Sequence, residues 1–117
     1  MIKIKRIYDE VSEDDGRRIL VDRLWPRGVS KEKAKIDQWL KEVSPSAELR
    51  KWFGHEPAKW PEFLKRYTAE LATQKTLLEE LVREGRASTI TLVYSAKDEE
   101  RNQAVALLEV LKGLGKF

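Results

Sequence analysis

Thr89-Ile-Thr-Leu-Val-Tyr94 predicts a strand of this chain, and it runs directly into Ser95-Ala-Lys-Asp98. Its β-branched and aromatic side chains are typical of a buried strand. Beyond the polar turn, residues 99–111 repeat apolar side chains at the spacing of one helix face: Ala104, Leu107, Leu108 and Leu111. A helix that follows a strand through a short turn starts with free backbone N–H groups, which can bind an anion. The sequence therefore predicts a candidate site at this turn.

The composition indicates one soluble domain with a strongly charged surface. Among its 117 residues, 41% are hydrophobic and 37% are charged, and the net charge is +3. Residues 1–35 carry ten basic and seven acidic side chains, whereas the other 82 residues carry thirteen of each. The whole positive excess therefore lies in the first third, which is either an ordinary solvated surface or a patch that faces an anion.

What the sequence lacks excludes several kinds of chemistry. There is no cysteine, so disulfides, thiolate metal sites and thiol nucleophiles are excluded. One histidine and scattered carboxylates make no metal-ligand cluster, and no Gly-rich phosphate loop is present, so we predict no cofactor. No apolar run reaches the roughly 20 residues that span a membrane, and Met1–Arg6 does not read as a signal peptide. We expect a cytoplasmic protein without a membrane partner.

The rest of the chain predicts two more strands and three more helices. The strands are expected over 2–7 and 17–22, and the helices over about 31–43, 46–53 and 61–84. Trp39 is expected on the buried face of the first helix, and Gly85 is expected to end the third. The order β-β-α-α-α-β-α predicts a single α/β domain over residues 1–117, with helices packed on a short, partly parallel sheet.

The connection between the second and third strands decides where their loops lie. Three helices separate these strands, so we expect them to be parallel. Parallel strands would bring the loop after Asp22 and the loop after Tyr94 to the same edge of the sheet, where open α/β sheets bind ligands.

The loop Arg23-Leu-Trp-Pro-Arg-Gly28 carries two arginines and a tryptophan directly after a buried strand. Arg23 and Arg27 either form a salt bridge with Asp22 or offer a fork to a phosphate or carboxylate. Trp25 either stacks on a planar ligand or packs beside Pro26. Gly28 offers a left-handed or tight turn at the end of the loop.

The turn after Tyr94 supplies the second half of the candidate site. Lys97 can bind a phosphate or act as a nucleophile with a lowered pKa, or it can pair with its acidic neighbours. Ser95 has the spacing of a helix N-cap, and as a nucleophile it would need a base, for which His55 has no evident connection. The Tyr94 hydroxyl either contacts a ligand or packs in the core. Asn102, on the first turn of the last helix, faces back towards the site, as does Arg101.

With these residues in place, the chain resembles the YeaO-like family, a branch of the group known as domain of unknown function 488. The resemblance covers nearly the whole chain and is carried by these motifs: Lys5-Arg-Ile-Tyr-Asp9, Leu20-Val-Asp-Arg-Leu-Trp-Pro-Arg-Gly28, Pro45-Ser-Ala-Glu-Leu-Arg50, Phe63 with Tyr67 and Glu70-Leu71, and Leu92-Val-Tyr-Ser-Ala-Lys97 with Asn102. It implies a small Rossmann-like sheet and no assigned activity. Related branches place cysteines near the corresponding strand ends, and this chain has none, so thiol or metal chemistry does not carry over.

Two functions remain open at this point. The first is an enzyme or binding protein for a small anionic, phosphate- or carboxylate-bearing ligand, with Asp22, Ser95 and Lys97 as the candidate catalytic residues. The ligand-binding residues would be Arg23, Trp25, Arg27, Gly28, Tyr94, Ser95, Lys97 and Asn102. The alternative is a nucleic-acid-associated or regulatory module that uses the basic first third and Trp25, and its binding would fall steeply with salt.

Overall fold

Four parallel strands form the sheet in a computed structural model that describes all 117 residues. The strands are β1 (Ile2–Arg6), β2 (Arg17–Leu20), β3 (Gln38–Trp39) and β4 (Ile90–Tyr94), in the spatial order β1-β4-β2-β3. β4 lies between β1 and β2 and is parallel to both, so the expected parallel pairing and the α/β class are confirmed. The strand stretch around residue 90 is therefore the centre of the sheet.

Five helices accompany the sheet: α1 (Lys31–Ala34), α2 (Ala47–Phe53), α3 (Trp60–Leu71), α4 (Lys75–Ala87) and α5 (Gln103–Leu114). Short 3-10 turns lie at Glu13–Asp15, Lys41–Val43, Pro57–Lys59 and Ala72–Gln74. None of these helices combines the length and the apolar character that crossing a membrane requires.

The two faces of β4 explain how the helices are distributed. Ile90 and Leu92 belong to a core of twenty buried residues that α2, α3, α4 and α5 also supply. Val93 points to the opposite face, into a small cluster with Ile7, Leu20 and Ala34. The sheet is covered on both faces, and every residue of its central strand β4 is buried.

The prediction of a helix over residues 31–43 is wrong beyond the first helical turn, which is α1. α1 ends at Ala34, because its C-cap Lys35 adopts a left-handed backbone with φ 47°, and the chain then pairs with β2 as β3. Asp37 fixes the start of this pairing, because its N–H donates to the Arg18 carbonyl at 2.8 Å and its carboxylate accepts the Arg18 N–H at 2.8 Å. Trp39 therefore sits on a strand, where its indole N–H donates to the Asp22 carbonyl at 2.7 Å. Pairing at the sheet edge has overridden the local helical pattern.

The helix predicted over 61–84 is two helices, α3 and α4, separated by the tight turn Ala72–Gln74. The Thr73 hydroxyl donates to the Glu70 carbonyl at 2.8 Å within this turn. Gly85 lies inside α4 rather than after it, and a Cβ there would come within 2.5 Å of the Ile2 side chain. Its function is thus close packing of α4 on β1, not helix termination.

A buried ion cluster fixes the loop between β1 and β2. The Asp15 carboxylate accepts from Lys5 at 2.8 Å and from Arg18 at 2.7 Å, and its side chain is 1% exposed. Burial raises the pKa of Asp15, but the hydrogen bonds from Lys5, from the Ser12 N–H and from Arg18 outweigh it and lower the pKa below its ordinary value. This cluster lies at the opposite end of β2 from Asp22, so it is part of the framework and not of the candidate site.

Candidate functional site

A cavity of about 690 Å³ opens at the carboxyl edge of the sheet. Its walls come from the loop after β2 (residues 22–27), from the loop after β4 with the first turn of α5 (residues 95–98 and 101–103), and from α2 and α3. The parallel strands have thus brought the two loops to one place, as the order of the elements indicated. The volume falls within the ordinary range for small-molecule sites.

Asp22 ties the two loops together. Its carboxylate accepts a hydrogen bond from the Ser95 hydroxyl on one oxygen and from the Gln103 amide on the other. Burial raises the pKa of Asp22 above its ordinary value, although the Ser95 hydrogen bonds and the charge of Arg50 act in the opposite direction. Neither Arg23 nor Arg27 forms an ion pair with Asp22, so the salt bridge considered for this loop does not form.

The segment after β4 is an eight-residue loop and not the tight turn that the sequence suggested. The Asp98 carboxylate accepts the N–H groups of Glu100 and Arg101 at 2.9 and 3.0 Å, and these hydrogen bonds lower the pKa of Asp98. α5 starts only at Gln103, and its N-cap is Asn102, whose side chain accepts the Val105 N–H at 2.9 Å. The expectation that Ser95 caps this helix is therefore wrong, because its hydroxyl donates to Asp22 instead.

Five cationic side chains line the cavity against two carboxylates, Asp22 and Asp98. The cations are Arg23, Arg27, Arg50, Lys97 and Arg101. The Arg23 guanidinium donates to the Pro45 carbonyl at 2.9 Å, and Arg101 pairs with Asp98 at 3.3 Å.

The remaining three cations, Arg27, Arg50 and Lys97, form no ion pair anywhere in the chain. The pairing of Lys97 with its acidic neighbours, considered from the sequence, is not formed. The cavity therefore presents uncompensated positive charge.

Trp25 is held by contacts within the fold and also lies at the cavity wall. Its indole N–H donates to the Val29 carbonyl at 2.8 Å, and its ring meets Trp39 edge to face with centroids 5.6 Å apart. It also forms part of the cavity wall. These contacts hold the ring in place, so Trp25 is a fixed wall of the cavity.

Two of the residues proposed from sequence lie outside the cavity wall. Tyr94 is 3% exposed and belongs to the main core, where burial raises its pKa, with the charges of Glu99 and Asp9 adding to the effect. Gly28 adopts φ 76° and does not line the cavity. Asn102 lines it while capping α5.

The structure adds residues that the sequence did not single out for the site. Arg50 and Phe53 lie three positions apart on α2 and both line the cavity, as does Gln103. His55 also lines it, on a backbone with φ 58°, but forms no hydrogen bond with Ser95, and no group of side chains suited to a metal ion exists in the chain. The sequence signal that could have found Arg50 and Phe53 is their spacing, which places a cation and an aromatic ring on one face of a predicted helix.

Comparisons with known proteins agree with the resemblance. The family model DUF488-N3i, described as "Inactive DUF488-N3 subclade", matches residues 1–114. "Uncharacterized protein YeaO" of Escherichia coli (strain K12) is 43% identical over 113 residues, which is 97% of this chain and 98% of the relative. "Uncharacterized protein Mb3100c" of Mycobacterium bovis and "Uncharacterized protein Rv3073c" of Mycobacterium tuberculosis are each 38% identical over 112 residues, 96% of this chain and 94% of theirs. No solved structure matches the chain.

Proposed function

Since the chain belongs to the DUF488-N3i family, whose description is "Inactive DUF488-N3 subclade", we propose that it binds a small phosphate- or carboxylate-bearing anion at the edge of the sheet after β2 and β4. The observation that carries the proposal is that Arg27, Arg50 and Lys97 line one cavity without an ion pair. Uncompensated cations in a partly enclosed site attract an anion more strongly than cations on an open surface.

The groups around the cavity suit such a ligand. Arg27 and Arg50 can each donate two parallel hydrogen bonds to a phosphate or carboxylate, and Lys97 adds a point charge. The start of α5 lies at the same wall, and the first N–H groups of this twelve-residue helix favour negative charge. The two arginines, Lys97 and the start of α5 thus all lie at the wall of this cavity.

Binding rather than turnover fits both the family description and the arrangement of Ser95. Its hydroxyl donates to Asp22, whose carboxylate also accepts from Gln103, and no imidazole contacts it. In a Ser–His–Asp triad the serine donates its hydroxyl proton to an imidazole, and the carboxylate orients that imidazole. Ser95 donates directly to Asp22 with no imidazole between them, and we assign the cavity a binding function in a cytoplasmic protein.

The alternative, a nucleic-acid module, receives less support because the basic first third is largely engaged within the chain. Lys5 and Arg18 bind Asp15, Arg17 pairs with Glu84, and Arg6 donates to the Ala96 carbonyl at 2.9 Å. Fewer cations are then available for a phosphate backbone, which several lysines or arginines must contact together.

Isothermal titration with sulfate and phosphate at constant ionic strength tests the proposal. Arg27→Ala, Arg50→Ala and Lys97→Ala should each weaken binding roughly tenfold or more, because each removes a charge-assisted contact. Lys51→Ala is the matched control, since Lys51 neighbours Arg50 on α2 but does not line the cavity. Equal affinities in all four variants would contradict the proposed site. Tight, salt-sensitive binding of an oligonucleotide, with no sulfate binding, would favour the alternative.

A further inference from the structure

The cavity has an aromatic floor beside its cations. Phe53 and Phe63 both line it and stack on each other with ring centroids 4.5 Å apart and an angle of 27° between their planes. Both rings are more than nine-tenths buried, at 6% and 2% exposure, so their positions are set by the core. A ligand that enters the cavity therefore reaches only the small exposed part of two fixed aromatic rings, beside the charged groups.

α2 brings these two features together on one helix face. Arg50 and Phe53 are three positions apart and both line the cavity, so a ligand that contacts the guanidinium lies within reach of the ring. Trp25 supplies a further aromatic wall from the loop after β2. A ligand with only a charged group would leave these apolar surfaces unused.

The number of charges points to a dianion. When the pair between Arg101 and Asp98 is set aside, four cations face the cavity against the single carboxylate of Asp22. A monocarboxylate would leave most of this charge uncompensated, whereas a phosphate monoester carries close to two negative charges near neutral pH and three acceptor oxygens.

From this combination, and resting on the proposed anion site, we infer that the ligand is a phosphate monoester joined to a planar aromatic ring. The phosphate contacts Arg27, Arg50 and Lys97, and the ring lies against Phe53. Planar rings pack favourably in offset-stacked or edge-to-face contact with an aromatic side chain, and that contact adds to the free energy of burying the ring.

Three probes in isothermal titration separate the parts of this inference. Phenyl phosphate has the dianion and the ring, glycerol 3-phosphate has the dianion alone, and benzoate has the ring with one charge. We expect phenyl phosphate to bind at least about tenfold more tightly than either of the others. Equal binding of glycerol 3-phosphate, or of benzoate, would overturn the inference while leaving an anion site in place. Failure of all three to bind would overturn the proposed function as well.

A variant pair tests the aromatic floor directly. Phe53→Leu should reduce the affinity for phenyl phosphate about fivefold or more and leave that for glycerol 3-phosphate unchanged. Trp52→Leu is the matched control, because Trp52 neighbours Phe53 on α2 but does not line the cavity. Two results would show that Phe53 does not contact the ligand's ring. One is that Phe53→Leu weakens the binding of phenyl phosphate and of glycerol 3-phosphate equally, and the other is that both variants weaken the binding of phenyl phosphate equally. If Phe53→Leu does not fold, the three-probe comparison on the unaltered chain still decides the inference.

Discussion

Replacing Asp22 with asparagine should make the cavity bind anions more tightly. Asp22 is the one carboxylate of the cavity wall that no cation pairs with, so it repels a bound anion. The substitution keeps the size of the side chain, and its oxygen can still accept from Ser95. Gln103 can then turn its amide to accept from the new NH₂ group. The tether between the two loops is therefore preserved while one negative charge is removed.

The size of the effect follows from the dimensions of the cavity. A sphere of about 690 Å³ has a radius of roughly 5.5 Å, so a charge at its centre lies about 6 Å from the wall. At that distance one unit of ligand charge interacts with a carboxylate by about 0.7 kcal/mol in water and about 2.8 kcal/mol at an effective dielectric constant near 20. Asp22→Asn should thus raise the affinity for an anion by roughly 3- to 100-fold per unit charge.

The assay is sulfate titration of both proteins across a range of pH, because sulfate stays a dianion throughout. Burial raises the pKa of Asp22, so its carboxylate becomes neutral in the intact protein before an ordinary aspartate would as the pH falls. The affinity difference between the two proteins should therefore be largest at neutral pH and disappear as the pH falls through the pKa of Asp22. His55 also lines the cavity, but it is present in both proteins, so any effect it has on sulfate affinity is removed when the two affinities are compared.

Stability gives an independent check on the same substitution. A carboxyl whose folded-state pKa is raised stabilises the fold below its unfolded pKa, and that contribution is lost as the pH rises. At neutral pH, Asp22→Asn should then unfold at the same temperature as the intact chain or higher. Glu109→Gln is the control, since Glu109 is an exposed acid of α5 that does not line the cavity. An unchanged or weaker sulfate affinity in a well-folded Asp22→Asn would show that the Asp22 carboxylate does not repel an anion in this cavity.

Three further predictions concern the framework, each checked by thermal or denaturant unfolding. Asp15→Asn should lower the free energy of unfolding by about 3–5 kcal/mol, because it leaves Arg18 buried without its carboxylate. Because the pKa of Asp15 is lowered, the intact chain should lose this stability as the pH falls through that pKa. If the free energy of unfolding of Asp15→Asn fell with pH in the same way, the stabilising role given to the Asp15 carboxylate would be contradicted. Tyr67→Phe should cost about 1–3 kcal/mol, since the buried Val43 carbonyl loses its donor; no loss would show that another group satisfies it. Gly85→Ala should cost about 1–3 kcal/mol by pushing α4 away from Ile2, and a neutral result would mean that this contact relaxes freely.

Much of the fold could be predicted because its strongest signals are local. The apolar run at residues 90–94 can only be buried on both faces, and the three helices before it require a parallel crossover. The helix prediction for residues 31–43 was wrong because the contacts that determine their structure are not local. Their apolar spacing is helical, but the hydrogen bonds of Asp37 with Arg18 join segments about twenty positions apart, and no local pattern contains them.

The candidate site was predictable in location and less so in detail. Parallel strands were enough to bring the loops after β2 and β4 together. Which side chains pair with each other depends on distances that a sequence does not contain, so the contact of Asp22 with Ser95 and Gln103 was not foreseen. Arg50 and Phe53 were missed because they come from α2, whose position over the carboxyl edge depends on the packing of the helices.

A sulfate titration followed by ¹H–¹⁵N NMR can show whether one anion binds where the two loops meet. At constant ionic strength, the amides of residues 22–25, 27, 50–55 and 95–103 should shift together along one saturable binding curve, and Arg27→Ala should weaken the affinity that this curve gives. Shifts confined to the exposed lysines of residues 31–35, or no saturable shift at all, would contradict a single anion site where the loops after β2 and β4 meet.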